Sequence, residues 1–172
     1  IENAAGLARV QTQLPAGYSP WEMLPRVLAS LDYLKKEEVR ARALRRSWDL
    51  VVVDEAHALA ESGTPQNPYR TQRTRLGYDP RAVIPDLVSA SRGLLLLTAT
   101  PHNGYSHAFR SLLELVEPTA ATFVGSPDRL RDRVDRAMVR RMKAQIVRRE
   151  PDGTWVPAFL RRTIALSTRS RR

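Results

Sequence analysis

The sequence predicts an α/β fold centred on a three-layer parallel sheet, and three observations carry that prediction. Residues 51–53 (Val-Val-Val) and 94–97 (Leu-Leu-Leu-Leu) are short apolar runs. They have the length and composition of buried parallel strands covered on both faces. Each run ends abruptly in polar residues: Asp54-Glu55-Ala56-His57 after the first, Thr98-Ala99-Thr100-Pro101 after the second. Segments of helical period lie between and beyond them. In open α/β sheets ligands collect just past the carboxyl ends of the strands. An acidic pair and a hydroxyl pair at two such ends make a candidate phosphate and metal site.

Taken in order, residues 1–20 hold Gly6, Pro15, Gly17 and Pro20 with little periodicity and read as a loop or severed edge. Arg26 to Ser30 reads as a short strand. Lys35 to Arg46 sets acids before bases, with Val39, Ala43 and Leu44 at helical spacing, so a helix is expected. The strand Leu50 to Val53 follows, and a short helix opens at Asp54 or Glu55. Residues 61–80 carry Gly63, Pro65, Asn67, Pro68, Gly77 and Pro80, the composition of a long loop. Arg81 to Ser91 is expected to be a helix with Pro85 in or near its first turn.

Gly93 then releases the chain into the strand Leu94 to Thr98. His107 to Val116 is an amphipathic helix ending near Pro118. Arg129 to Arg149 reads as a helix with Leu130, Val134, Met138, Met142 and Ile146 on one apolar stripe. Glu150-Pro151-Asp152-Gly153 is a turn signal, and Trp155 to Leu166 a strand or linker. Trp21, Trp48 and Trp155 are expected in cores rather than stacked on bases.

At 172 residues the chain is long enough for one sizeable core. No apolar stretch approaches the ~18 residues of a membrane span, and no basic-then-apolar leader opens the sequence. Cysteine is absent, which excludes disulfides and thiolate metal sites. These features fit an intracellular protein. The formal charge of +10 is unevenly spread: residues 129–172 hold fourteen basic and four acidic side chains, whereas residues 1–128 balance at fourteen of each. Such asymmetry suggests a polyanionic partner. Of the 28 basic residues 25 are Arg, which a GC-rich genome would also produce.

The rim residues suit nucleotide chemistry. Nucleoside triphosphate hydrolysis needs positioning and charge neutralisation by a metal ion bridging phosphate oxygens. Mg²⁺ prefers oxygen ligands and keeps several waters, so one or two carboxylates suffice. Asp54 is the expected Mg²⁺-side carboxylate, acting through water. Glu55 can orient or deprotonate the attacking water. His57 can reach toward Thr98 or Thr100 and so link the two strand ends. Each motif alone has a plainer reading: acids suit a helix N-terminus, and Thr-Ala-Thr-Pro can be an ordinary strand exit. His57, His102 and His107 fit no zinc spacing, and no Gly-x-Ser-x-Gly elbow marks a serine hydrolase.

Asp54-Glu55-Ala56-His57 and Thr98-Ala99-Thr100 resemble the DEAH Walker B motif and the Ser/Thr-Ala-Thr motif of superfamily-two helicases. More narrowly, the chain is similar to SWI/SNF-type helicase-like ATPases, especially bacterial ones. Ser47-Trp48-Asp49-Leu50, Leu31-Asp32-Tyr33-Leu34-Lys35, Thr100-Pro101-His102-Asn103-Gly104 and Met138-Val139-Arg140-Arg141-Met142-Lys143 add to the match, which runs from about residue 26 to about residue 165. The resemblance implies a RecA-like P-loop NTPase lobe, with residues 1–25 a severed edge, 26–150 the C-terminal part of lobe one and 151–172 a basic linker to lobe two. No Gly here is followed by Lys, so the Gly-Lys-Ser/Thr loop that holds phosphates is expected upstream, and lobe two downstream. Ile rather than Met at position 1 fits that expectation.

By the same resemblance the protein hydrolyses ATP with Mg²⁺ and moves along double-stranded DNA, and this stretch alone is not expected to turn over. Asp54, Glu55, His57, Thr98 and Thr100 then serve the nucleotide, and Arg140, Arg141 and Lys143 contact nucleic acid or the second lobe. The long loop would flank the DNA side, making Arg70, Arg73 and Arg75 phosphate contacts unless they are merely solvated. A bacterial cytoplasmic, nucleoid-associated setting is implied, with defence-system or RNA-polymerase partners. The alternative is a non-catalytic DNA-binding or scaffold remnant.

Overall fold

The computed structural model describes residues 1–101, 104–121, 132, 134–141 and 145–157. The chain divides into two units, Ile1–Ala137 and Met138–Arg172. In the first, helix α1 (Ala4–Gln11) occupies part of the expected N-terminal loop. The Asn3 side chain accepts from the Gly6 N–H at 2.9 Å and caps a run of strong helix formers. Helix α2 (Pro20–Met23) opens on Pro20, whose missing N–H costs nothing at that position, and buries Trp21.

Residues 26–30, expected as a strand, join no ladder. They are tied to the amino terminus by the Ser30 N–H to the Ile1 carbonyl, while Leu28 projects into solvent. The expected helix at 35–46 divides into α3 (Leu31–Leu34) and α4 (Glu37–Ala43), because Lys36 is extended at ψ 125°.

Strands β1 (Val51–Val53) and β4 (Leu94–Leu96) pair in parallel with Val51 opposite Leu94, Val52 opposite Leu95 and Val53 opposite Leu96. Trp48 sets this register from below, its N–H reaching the Ala90 carbonyl at 2.7 Å and its carbonyl the Arg92 N–H at 2.8 Å. Pleating divides the strand residues between two faces. Val53 is buried against the core, whereas Leu50, Val52, Leu95 and Leu97 are exposed. Mixed helix and strand with a parallel pair at the centre bear out the α/β class; the described residues hold two parallel strands, covered on one face.

The expected loop at 61–80 is instead a hairpin and a helix. After a 3₁₀ turn (Ala56–Leu59), β2 (Ser62–Thr64) and β3 (Asn67–Tyr69) pair antiparallel. Gly63 adopts φ +92°, and an added Cβ would lie 2.4 Å from the Asn67 carbonyl oxygen, so only glycine fits. Helix α5 (Gln72–Gly77) starts at a capping box formed by Thr71 and Thr74.

The expected helix at 81–91 does not form. Pro85 interrupts it, and the Asp86 carboxylate takes the N–H groups of Ser89 (2.8 Å) and Asp79 (3.0 Å), a local bonding that competes with the helix ladder. Helix α6 (Ser106–Val116) matches expectation, burying Ala108, Ser111, Leu112 and Leu115 on one stripe. It is followed by α7 (Pro118–Ala121). The core gathers Trp21, Tyr33, Leu44, Val53, Leu59, Leu76, Leu87 and Leu112 beneath the parallel pair.

The helix expected over 129–149 does not run its length. Leu130 and Met142 lie outside the described residues, residues 132 and 134–137 are helical, and residues 138–141 are not. In the second unit β5 (Val147–Arg149) and β6 (Trp155–Pro157) form an antiparallel hairpin. β-branched Ile146 and Val147 favour strand, and Gly153, at φ +89°, makes the turn. Residues 158–166 of the expected strand lie outside the described residues. Trp21 is buried, but Trp155 is 66% exposed, so it is not a core residue.

Candidate functional site

The two polar motifs meet at the carboxyl end of the parallel pair. Beyond β1 the chain turns tightly around Leu97: its N–H donates to the Val53 carbonyl at 2.8 Å, and its carbonyl accepts from the Ala56 N–H at 2.9 Å. Asp54 and Glu55 occupy the turn between those two bonds, and Thr98 follows Leu97 directly. Sequence separation of forty residues is thereby reduced to contact distance.

Within the turn, Asp54 Oδ1 accepts from the Glu55 N–H at 2.9 Å. Glu55 adopts the left-handed conformation, φ 50° and ψ 43°, the one described non-glycine residue with positive φ. That conformation swings its carboxylate toward His57, whose Nδ1 lies 3.2 Å from Glu55 Oε2. The same Nδ1 is 3.4 Å from Thr98 Oγ1, and Thr98 Oγ1 accepts from the Thr100 N–H at 3.2 Å. Asp54, Glu55, His57, Thr98 and Thr100 therefore form one continuous chain of contacts.

This geometry has a chemical consequence at His57. A protonated Nδ1 donates best to the Glu55 carboxylate. A bare Nδ1 instead accepts from the Thr98 hydroxyl, so the ring's tautomer selects which strand end it serves.

Side chains behind the turn fix the backbone that follows it. Buried Thr74 donates through Oγ1 to the Ala60 carbonyl at 2.9 Å. Buried Ser111 accepts the Glu61 N–H at 2.8 Å and donates to the Ala108 carbonyl at 2.8 Å. Arg70 bonds Glu61 at 2.8 Å and Glu114 at 3.4 Å, tying the hairpin's start to α6. The Glu61 bond, partly offset by burial, raises the Arg70 pKa above the ordinary guanidinium value. Arg73 grips Asp32 through three bonds of 2.6 to 3.0 Å, and Lys35 is a second cation on the same carboxylate at 3.1 Å. Arg70 and Arg73 are thus engaged in ion pairs, while Arg75 is exposed. His57 also lines an open cleft of about 460 Å³ with Lys35, Glu61, Thr71 and Arg73.

Sequence reasoning missed the Thr74–Ala60, Ser111–Glu61 and Arg70 pairs because those partners are 9 to 50 positions away. The Thr71-x-x-Thr74 spacing was the single local signal. Of the residues expected at nucleic acid, Arg140 and Arg141 are exposed in the second unit, and Lys143 lies outside the described residues. His102 and Asn103 lie outside them as well.

No family model matches the chain. Over 84 residues it is 43% identical to the RNA polymerase-associated protein RapA of Vibrio cholerae, across 48% of this chain and 8% of that protein. Relatives of this chain include RapA proteins. RapA of Vibrio campbellii is 36% identical and that of Photobacterium profundum 37%, each over 102 residues, 58% of this chain and 9% of theirs. The similarity supports the SWI/SNF-type helicase-like resemblance. The matched stretch spans less than a tenth of the length of these curated relatives.

Proposed function

We propose that this chain carries the Walker B and Thr-Ala-Thr parts of an ATP-dependent, SWI/SNF-type motor that moves along double-stranded DNA, built on a RecA-like lobe. The observation that carries the reading is the 3.4 Å approach of His57 Nδ1 to Thr98 Oγ1 beside the Asp54-Glu55 turn. Hydrolysis sensed at the carboxylates has a direct route through His57 to the neighbouring strand end. Among the described residues no cluster of three His, Cys, Asp or Glu side chains is arranged to hold a metal ion. Mg²⁺ uses one or two carboxylates with waters and substrate phosphates, and Asp54 would supply such a carboxylate.

Asp54 is exposed, accepts only the Glu55 N–H among the described bonds, and would hold Mg²⁺ through water. When bound, the ion neutralises phosphate charge. Glu55 orients and deprotonates the attacking water, and His57 holds the Glu55 carboxylate in place. Arg140, Arg141 and Lys143 are assigned to nucleic-acid or interlobe contact. From the relatives' name an RNA-polymerase partner is proposed, and full turnover requires phosphate-binding residues this stretch does not contain.

The test is DNA-stimulated ATP hydrolysis by the full-length product with Glu55→Gln. Loss of a general base lowers the rate by about 10²- to 10⁴-fold. Turnover equal to wild type removes Glu55 from this role and favours a non-catalytic DNA-binding scaffold.

A further inference from the structure

The β5–β6 hairpin presents a face that nothing in the ATP chemistry uses. Arg149 stands directly opposite Trp155 in the antiparallel register, and Val147 is two residues along the same strand. Side chains opposite one another across a ladder share a face, and so do alternate residues along a strand. Val147, Arg149 and Trp155 therefore share one side, and all three are exposed, the indole by 66%. The two neighbouring arginines differ in their partners. Arg148 is paired with Glu150 at 2.8 Å. Arg149 reaches the Gly153 carbonyl at 3.5 Å and, among the described residues, meets no carboxylate.

We propose that this hairpin is a stacking platform for single-stranded nucleic acid, with Trp155 taking the face of a base and Arg149 the adjoining phosphate. Charge selects the partner: residues 129–172 hold fourteen basic and four acidic side chains, a field that draws polyanions. Ring exposure selects the strand form. An indole recovers its exposed apolar surface by stacking on a base, and in a duplex those faces are already stacked on neighbours. Both DNA and RNA single strands offer this chemistry. The inference stands apart from the ATP reading, because a chain that hydrolyses nothing would still bind through this face.

Fluorescence anisotropy of the 172-residue chain with labelled oligo-dT, oligo-U and a duplex of equal length tests it. Base stacking on an aromatic contributes about 1–3 kcal/mol, so W155A weakens oligonucleotide binding by about 5- to 150-fold while duplex binding stays unchanged. W155F keeps a stacking ring and retains most of the affinity. R149Q lowers the slope of log affinity against log salt by about 0.7, the value for one phosphate contact on a single strand. The oligo-dT and oligo-U arms decide whether the DNA or the RNA strand is preferred. Truncating an exposed ring removes no core contact, so a folding defect is not expected. The proposal is overturned if W155A binds oligonucleotides as wild type does, if W155F loses as much as W155A, or if single strand and duplex weaken together.

Discussion

Arg70→Met tests whether the segment behind the acidic turn is held by ion pairing. Arg70 sits between Glu61 at 2.8 Å and Glu114 at 3.4 Å, with the three side chains 28%, 20% and 27% exposed. Fully exposed pairs contribute about 0–1 kcal/mol, and removing one partner of a fully buried pair costs about 3–5 kcal/mol. Partial exposure places this site between those limits, at about 1.5–2 kcal/mol. Methionine fills much of the arginine stem's volume, so the loss reports charge rather than a cavity. For a chain of this length each kcal/mol shifts Tm by about 2–4 °C, which gives a drop of about 3–8 °C. Urea unfolding followed by circular dichroism, with Glu61→Gln and the double variant, separates the pair's coupling from the single losses. A variant within about 0.5 kcal/mol of wild type, the usual scatter of surface substitutions, would show that Arg70 is a spectator.

Asp32→Asn probes the Arg73 grip by pH. The Arg73 hydrogen bonds, then Lys35, hold the Asp32 carboxyl below its ordinary value of 3.8. Its contribution is complete above the unfolded value, about pH 4, and is lost as pH falls through the lower folded value. The Tm gap between wild type and D32N is expected at pH 7 and should close in acid; a constant gap refutes the linkage. Leu59→Ala empties a fully buried site beside Gly77 and Leu115, costing about 2–5 kcal/mol in denaturant titrations. Gly63→Ala forces a Cβ to within 2.4 Å of the Asn67 carbonyl oxygen. It should cost about 1–3 kcal/mol through strain, seen as early hydrogen exchange of the β2–β3 amides.

The rim was legible in the sequence because its signals are local. Val51–Val53 and Leu94–Leu97 each announce a strand and each carry their polar residues on the same piece of chain. Parallel pairing then brings Asp54, Glu55, His57, Thr98 and Thr100 into one line of contacts. Helix α6 was legible for the same reason, its apolar stripe being written in eleven consecutive residues. Failures arose where a few side-chain bonds outweighed composition. Gly63 and Asn67 convert a stretch rich in Gly and Pro into a hairpin, and Asp86 captures the Ser89 amide that a helix over 81–91 would have used. Asn3 does the reverse, converting an apparent loop into a helix. Over 129–149 the i, i+4 apolar spacing pointed to helix, yet β-branched Ile146 and Val147 beside a Gly153 turn form a hairpin.

The left-handed backbone at Glu55 sets folding against chemistry at a single residue. A side chain there carries a penalty of about 1–2 kcal/mol that glycine escapes and asparagine largely avoids. Any screen that ranks variants by thermal tolerance alone will drift toward Gly or Asn at this position and discard the carboxylate beside His57. Glutamine keeps the penalty while removing the charge, which is why it, and not glycine, isolates what the acid does.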